Sequence, residues 1–136
     1  MAEKLTVEIV TPERLVLAEQ TDEVVLPTVE GYMGVLPGHA PLLAQLDVGE
    51  VSYRVGNKRH YLAVSGGFAE VLRESVSILA TTCERAEEID LERAQKSRQR
   101  ADENLSLDKS EQEFHRAEAR MRRALCRIQV HERIQH

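Results

Sequence analysis

Asp90, Glu92 and Arg93 stand close together where the residue pattern of this chain changes, inside the segment "ERAEEIDLERAQKSRQR" (84–100). An aspartate just before a helical segment often acts as its N-cap, and the N–H groups of the first helical turn attract anions. The cluster therefore predicts one of two things. It is either a plain capped helix start with an Asp90–Arg93 ion pair, or one half of an anion-binding site.

A line of arginines follows on the next helical segment. Their spacing of i, i+4, i+7 and i+11 puts them on one stripe of a helix: Arg116, Arg120, Arg123 and Arg127. Ion pairs with Glu113 and Glu118 would make this an ordinary solvated face. However, like charges on one line repel, and arginine suits bidentate capture of carboxylate or phosphate. The stripe therefore also predicts contact with an acidic segment of a partner or with the phosphates of a nucleotide.

Other motifs that could carry catalysis or hold a metal are incomplete. The segment "EGYMGVLPGH" lacks the Gly-Lys-Ser/Thr of a phosphate-binding loop, so its glycines are interpreted as turn residues. An esterase-like enzyme using Ser65 is disfavoured because Ala63 stands where a nucleophile elbow requires glycine. His39 is typical of a hydrogen-bonding loop residue, and the spacing of His131 and His136 predicts no metal site. We expect no active site of the chain's own.

Short alternating segments fill the first part of the chain. "LTVEIVTP" (5–12) is rich in β-branched residues, and the apolar runs up to Val55 are punctuated by glycine and proline. Asn57 follows a glycine between two alternating runs, which indicates a hairpin. Two more strands are predicted around a charged turn near Glu74. Together these patterns predict an antiparallel β-sandwich over residues 1–84.

The period of the apolar residues changes to that of a helix at Leu91. The first helix carries a thin apolar stripe: Leu91, Ala94, Ala101 and Leu105. "SLDKS" (106–110) breaks it, and Ser110 opens a capping box with Glu113. The second helix carries a longer stripe: Phe114, Ala117, Met121, Ala124, Leu125 and Ile128. We therefore predict an α+β protein in which a two-helix antiparallel hairpin (85–136) follows the sandwich, with little buried area and hence mobility.

Composition limits the function classes. A chain of 136 residues with 42% apolar residues suits one domain, or a small domain with an appendage. The sequence shows neither an apolar run long enough to span a membrane nor a signal peptide. The two cysteines, Cys83 and Cys126, are predicted to be buried or half-buried thiols. Residues 1–89 hold 14 acids and 7 bases, a net charge of −7, whereas residues 90–136 hold 9 acids and 11 bases, a net charge of +2. The interleaved charges argue against binding to nucleic acid.

Several segments, in this order and spacing, resemble the epsilon subunit of the rotary (F-type) ATP synthase over nearly the whole chain. They are "EGYMG" followed by "GVLPGHAPLLAQL", then "YLAVSGGFAEV", "SVSILA" and "EEIDLERA". The family fold, an N-terminal β-sandwich followed by a C-terminal helical hairpin, agrees with the pattern-based prediction.

The resemblance implies a non-catalytic rotor subunit of the central stalk. The sandwich would bind the gamma subunit and the membrane-embedded c-ring, and so link the proton-driven ring to the alpha/beta catalytic head. Membrane association would be peripheral, on the cytoplasmic face of a bacterial inner membrane or the equivalent organellar face. In the family, one loop faces the c-ring, and here it comprises Glu30, Gly31, Tyr32, Met33 and Gly34. Tyr32 stands where some relatives carry an acid, so this contact would depend less on charge.

The resemblance also implies a regulatory hairpin that lies folded on the sandwich or extends toward the head and blocks ATP hydrolysis. The arginines that would contact an acidic segment of the beta subunit are Arg116, Arg120, Arg122, Arg123 and Arg127. Some relatives bind ATP in the folded state through Ile-Asp-x-x-Arg-Ala, which "IDLERA" matches. The corresponding residues here are Glu84, Ile89, Asp90, Arg93, Ala94, Arg100, Arg123 and Arg127. No cofactor is required, regulatory ATP is the expected ligand, and the role of Mg²⁺ is open. A free-standing ATP-sensing module is the alternative.

Overall fold

The computed structural model describes residues 3–106 and 110–135, and the chain divides into two compact units, Met1–Arg85 and Ala86–His136. The first unit is built from β-strands and the second from helices, so the predicted α+β class is confirmed. The predicted break at "SLDKS" falls partly on residues 107–109, and these, like His136, lie outside the described residues.

Eight strands make up the described part of the first unit. They are β1 (Leu5–Val10), β2 (Leu15–Thr21), β3 (Glu23–Thr28), β4 (Gly31–Val35), β5 (Leu42–Val55), β6 (Lys58–Val71), β7 (Ser75–Ala80) and β8 (Cys83–Arg85). Neighbouring strands follow the order β2-β1-β7-β6-β5-β3-β4, and β8 also pairs with β6.

Strands β5 and β6 are the two longest described strands, with 14 residues each, and they pair with each other along most of their length. They form the predicted hairpin, in which Val55 pairs with Lys58 across the turn. Residues 67–71 of β6 pair with β7, whereas residues 62–64 pair with β8, so the two halves of one strand have different neighbours. Sequence patterns predicted shorter strands here, because glycines such as Gly49 and Gly66 resemble strand ends but lie inside or beside continuous pairing.

Within the described residues, all strand pairs but one are antiparallel. β1 and β7 run parallel, with Val7 opposite Val76 and Ile9 opposite Ile78. Alternation of apolar and polar residues specifies which face is buried but not the direction of the neighbouring strand. The parallel pair is therefore a feature that the predicted antiparallel sandwich did not contain.

The second unit begins with a turn of 3-10 helix (Ala86–Glu88), followed by α1 (Leu91–Leu105), α2 (Glu111–Glu132) and a terminal 3-10 turn (Arg133–Gln135). Both predicted helix starts are confirmed. Asp90 Oδ1 accepts a hydrogen bond from the N–H of Arg93 at 3.1 Å, and Ser110 Oγ accepts one from the N–H of Glu113 at 3.2 Å.

Alanines form the contact between the two helices. The buried residues on the predicted stripes are all small: Ala94, Ala101, Ala117 and Ala124. Phe114 and Leu125, predicted on the same stripe of α2, are each 42% exposed. Small side chains let the two backbones approach closely, and this leaves the larger side chains at the margin of the contact rather than inside it.

Candidate functional site

A cleft of about 530 Å³ lies in the helical unit, beside the start of α1. Its lining is almost entirely charged: Asp90, Glu92, Arg93, Lys96, Ser97, Arg100 and Arg127.

The spacing of the α1 residues explains why they share one side of the helix. Arg93, Lys96, Ser97 and Arg100 stand three, four and seven residues apart, as neighbours on a helical surface do. Arg127 reaches the same cleft from the last part of α2. Because the first half of α1 therefore lies beside the last half of α2, the two helices run antiparallel, as predicted.

Asp90 caps α1 and does not pair with the nearby guanidinium group. Its Oδ1 accepts the Arg93 backbone N–H, and within residues 3–106 and 110–135 no ion pair joins the two side chains. The ion pair of the plain-capping interpretation is thus not found. Glu92, by contrast, lies 3.2 Å from the ammonium of Lys96.

The charge of the cleft favours an anionic ligand. Four cationic side chains and two carboxylates line it, which leaves a net charge of +2. The first turn of α1 adds the partial positive charge of a helix N-terminus. Arginine side chains from two helices could grip separate oxygens of one polyphosphate, since each guanidinium presents several donors in a fixed plane.

The structure brings together Asp90, Arg93, Arg100 and Arg127 of the predicted nucleotide-binding set. Ile89 and Ala94 are buried, 6% and 1% exposed, so their side chains support the helix start and do not line the cleft.

Two further members of the predicted set lie elsewhere. Arg123 is half-buried on α2 but is not among the cleft-lining residues. Glu84 lies in β8, opposite Ala63 of β6, and so belongs to the other unit. The sequence prediction also missed Lys96 and Ser97, although their positions three and four residues after Arg93 could have indicated them.

The arginine stripe of α2 has a solvent-exposed half and a half-buried half. Arg116 and Arg120 are exposed, whereas Arg123 and Arg127 are half-buried; Arg122, which lies beside the stripe, is also exposed. In the part of the chain that the structure describes, the predicted ion pairs with Glu113 and Glu118 do not form. Among the described residues, Arg116 and Arg120 thus lie at the surface without an acidic partner.

The loop predicted to face the c-ring is the tight turn between β3 and β4. Thr28 Oγ1 donates to the Gly31 carbonyl at 2.6 Å, and Gly31 has a φ of +121°, which favours glycine. Tyr32 is 64% exposed, yet its hydroxyl accepts the N–H of Glu50 at 3.2 Å. Tyr32 thus ties this turn to β5 while its ring remains accessible.

Alternative sites are not supported by the described residues. Ser65 lies inside β6 with its hydroxyl paired to that of Thr82, whereas a nucleophile elbow needs a strand-to-helix turn. His39 Nδ1 lies 2.7 Å from the Ala40 carbonyl oxygen in a loop. Over the described ranges, we find no group of three or more histidine, cysteine or acidic residues suited to a metal. The described helices include none long and apolar enough to cross a membrane.

The fold and the cleft define a two-part protein, a β-sandwich followed by a helical hairpin with a cationic cleft. The family model for the "ATP synthase, Delta/Epsilon chain, beta-sandwich domain" matches residues 4–86. The model for the "ATP synthase, Delta/Epsilon chain, long alpha-helix domain" matches residues 87–132. The chain therefore belongs to the delta/epsilon chain family of ATP synthases, and the resemblance to the epsilon subunit is confirmed.

Individual relatives match nearly the whole length of the chain. The ATP synthase epsilon chain of Syntrophobacter fumaroxidans is 50% identical over 133 residues, 98% of this chain and 99% of the relative. That of Nitratidesulfovibrio vulgaris is 47% identical over 130 residues, 96% and 97% of the two chains.

Solved structures also resemble this chain. A chain in the Euglena gracilis mitochondrial ATP synthase structure (OSCP/F1/c-ring, rotational state 1) matches with a TM-score of 0.79 and 27% identity, over 98% of this chain and 82% of that one. A chain of the Tetrahymena thermophila mitochondrial ATP synthase central stalk and c-ring shares the fold, with a TM-score of 0.68 and 16% identity over 95% and 97% of the two chains.

Proposed function

We propose that this chain is a non-catalytic rotor subunit of a proton-translocating ATP synthase, with a sandwich that binds the gamma subunit and the c-ring and a hairpin that regulates ATP hydrolysis. The observation that carries this proposal is family membership over residues 4–132, both units included. The similar Euglena chain comes from an assembly described as F1 and c-ring, which is consistent with such partners. A stable equimolar complex with gamma would support it. Repeated failure to obtain one would favour the free-standing ATP sensor.

An exposed apolar row on the sandwich is the surface proposed for gamma. Phe68 of β6 stands directly opposite Leu79 of β7, and they are 53% and 62% exposed. Leu43 of β5 is 70% exposed and lies two residues from Gln45, the partner of Phe68 on the other side. Contiguous exposed apolar side chains of this kind mark protein–protein contacts. Phe68→Ser with Leu79→Ser should abolish co-purification with gamma, whereas Leu125→Ser, an exposed apolar site on α2, should not.

The turn between β3 and β4 is proposed as the contact with the c-ring. Through this contact the chain would associate indirectly with the membrane. The membrane face would be the cytoplasmic face of a bacterial inner membrane or its organellar equivalent. Val29 and Tyr32 are 52% and 64% exposed there, and Glu30 is exposed between them. A cysteine placed at Glu30 should form disulfides with cysteines in the polar loops of the c-ring. The same change at Glu8, an exposed site on β1, should not.

The hairpin is proposed to act as a brake on ATP hydrolysis. The surface arginines of α2 would contact an acidic segment of the beta subunit, where complementary charge strengthens and orients association. Arg116 and Arg120 have no acidic partner among the described residues, which leaves both available for such a contact. Deleting residues 90–136 should raise ATP hydrolysis by the complex and leave coupling largely intact. Unchanged hydrolysis would rule out the brake.

The cleft is proposed to bind ATP and so to favour the folded hairpin. Its net positive charge and the arginines of two helices support this. Calorimetric titration of ATP into the full chain should give binding that weakens about tenfold or more in Arg93→Ala and Arg127→Ala, since a charged hydrogen bond is worth about 1.5–3 kcal/mol. Arg116→Ala, outside the cleft, is the matched control and should bind like the parent. Absence of heat at millimolar ATP in the parent would eliminate the site.

A further inference from the structure

Both carboxylates of the cleft already have partners inside it. Asp90 Oδ1 accepts the N–H of Arg93 at 3.1 Å and thereby caps α1. Glu92 Oε1 lies 3.2 Å from Lys96 Nζ, one turn further along the same helix. One carboxylate of the cleft therefore caps the helix and the other pairs with a neighbouring cation, although each has a second carboxylate oxygen that is not used in these contacts.

The residues that line this cleft are poorly suited to binding Mg²⁺. Mg²⁺ takes oxygen ligands in near-octahedral geometry, typically carboxylates together with water and phosphate. In the described ranges, no three histidine, cysteine or acidic side chains lie together in a group that could hold a metal ion, at this cleft or elsewhere. The cleft instead presents four cationic side chains, which repel a divalent cation carried in by a ligand.

We propose that the form of nucleotide this cleft binds is the metal-free anion and not its Mg²⁺ complex, an inference that rests on the proposed ATP binding. Binding of Mg²⁺ lowers the net negative charge of the polyphosphate by two, and so weakens its attraction to Arg93, Arg100 and Arg127. Each lost charge weakens the attraction to every one of these side chains, because Coulomb energies add over pairs. The hairpin would then respond to the ratio of ATP to Mg²⁺, not to total ATP alone.

The test is a calorimetric titration of ATP into the full chain, once with EDTA and once with Mg²⁺ in excess over the nucleotide. Ionic strength is matched with KCl, because screening by salt weakens all of these contacts alike. We expect the apparent Kd to be about tenfold higher, or more, in Mg²⁺. An equal or lower Kd in Mg²⁺ overturns this inference and leaves ATP binding intact. No heat under either condition overturns the ATP site itself, and the inference with it.

A pair of variants tests the electrostatic cause. Lys96→Gln removes one cation and releases Glu92, so the ratio of the two Kd values should fall toward one. Lys96→Arg keeps the charge and should keep the ratio of the parent. If Lys96→Gln retains the full Mg²⁺ penalty while still binding ATP, the cation content of the cleft is not its cause.

Discussion

The two units of this chain differ in the size of the side chains that each buries in its own interior. The sandwich buries branched aliphatic residues such as Leu26 and Ile78, both 0% exposed. The helical hairpin is closed by alanines, among them Ala94 and Ala101, at 1% and 0% exposed. Burying a leucine stabilises a fold by about 2 kcal/mol more than burying an alanine. We therefore expect the sandwich to be the more stable of the two units and the hairpin to open more readily.

The difference in packing between the two units determines how much the binding of a ligand can change the stability of each. A ligand that binds one state only stabilises it by about 2.7 kcal/mol at a hundredfold excess over its Kd. That free energy is small beside the stability of a well-packed domain but comparable with the contribution of a few small buried side chains such as the alanines of the hairpin. We therefore expect a ligand in the cationic cleft to affect the stability of the hairpin more than that of the sandwich.

The largest expected effect is in the sandwich, at Gly67. This residue has a φ of +123°, and an added Cβ would lie 2.1 Å from the Leu79 carbonyl oxygen. Gly67→Ala should therefore lower the free energy of unfolding by at least about 3 kcal/mol, since β6 and β7 must separate to accept the methyl group. Urea unfolding of the full chain, followed by circular dichroism of the β-sheet, measures this loss.

Gly34→Ala is the control for that substitution. Gly34 lies in β4, and nothing comes within 4 Å of the position of an added Cβ. It should change the free energy of unfolding by less than about 0.5 kcal/mol. Similar losses in both variants would mean that the β6–β7 contact at Gly67 is not as close as described.

A smaller effect, confined to the hairpin, is expected from Ala101→Leu. Ala101 is 0% exposed between the helices, so a leucine would force them apart at a cost of about 1–3 kcal/mol. Hydrogen exchange of the amides in α1 and α2 should accelerate, while the amides of β5 and β6 stay protected. Gln99→Leu, at an exposed position of α1, should leave both patterns unchanged. Loss of protection in the strands as well would show that the two units unfold as one.

The same contrast explains how much of the structure the sequence could predict. Alternation around residues such as Val7 and Ile78 identified the sandwich, because burial on one face leaves a period of two. It could not reveal that β1 and β7 are parallel, since strand direction depends on the path of the whole chain. Helical periodicity predicted Ala101 as buried but also Phe114, which is exposed, because the pattern carries no information on how closely two helices approach.

The residues that line the cleft could be predicted only in part, because the sequence does not specify how the helices pack. Motif resemblance identified Asp90, Arg93, Arg100 and Arg127, all of which line it. Resemblance could not show that Arg123 lies outside the lining, because on a helical stripe a residue one turn away points in nearly the same direction. The exact reach of a side chain depends on packing, which residue type and spacing do not encode.

Asp90 offers a prediction of about 1 kcal/mol in the hairpin. Replacing an N-cap aspartate with alanine removes the acceptor for the Arg93 N–H and typically costs that amount. Asp90→Ala should therefore speed hydrogen exchange in the first turns of α1, whereas Asp90→Asn, which retains a capping oxygen, should exchange like the parent. Equal acceleration in both variants would mean that charge, not capping, is the important property of this residue.

Asp22 is the corresponding acid in the sandwich, and it has more partners. Its carboxylate accepts from Lys4 Nζ at 2.5 Å and from the Gly56 N–H at 2.7 Å, and Arg54 lies 3.8 Å away. The residue thus joins the start of β1 to the turn between β5 and β6. The hydrogen bond from Lys4, followed by that from Gly56, lowers the pKa of Asp22 from its ordinary value of 3.8.

The smallest effect we predict is the pH dependence that this lowered pKa produces. Because the folded chain binds the proton less tightly than the unfolded chain, the charged form of Asp22 stabilises the fold. The contribution is fully present above the ordinary pKa of 3.8 and is lost as the pH falls through the lower pKa of the folded state.

Asp22→Asn should therefore be less stable than the parent near neutral pH. The difference in the free energy of unfolding between the two proteins should disappear once the pH is below the pKa of Asp22 in the folded state. Urea unfolding of the parent and of Asp22→Asn between neutral and acid pH measures this difference. A difference that stays constant to the lowest pH would show that Asp22 stabilises the fold through its shape and not through its charge. The dependence should appear in the unfolding of the sandwich and not in hydrogen exchange of the hairpin, because all three partners of Asp22 lie in the first unit.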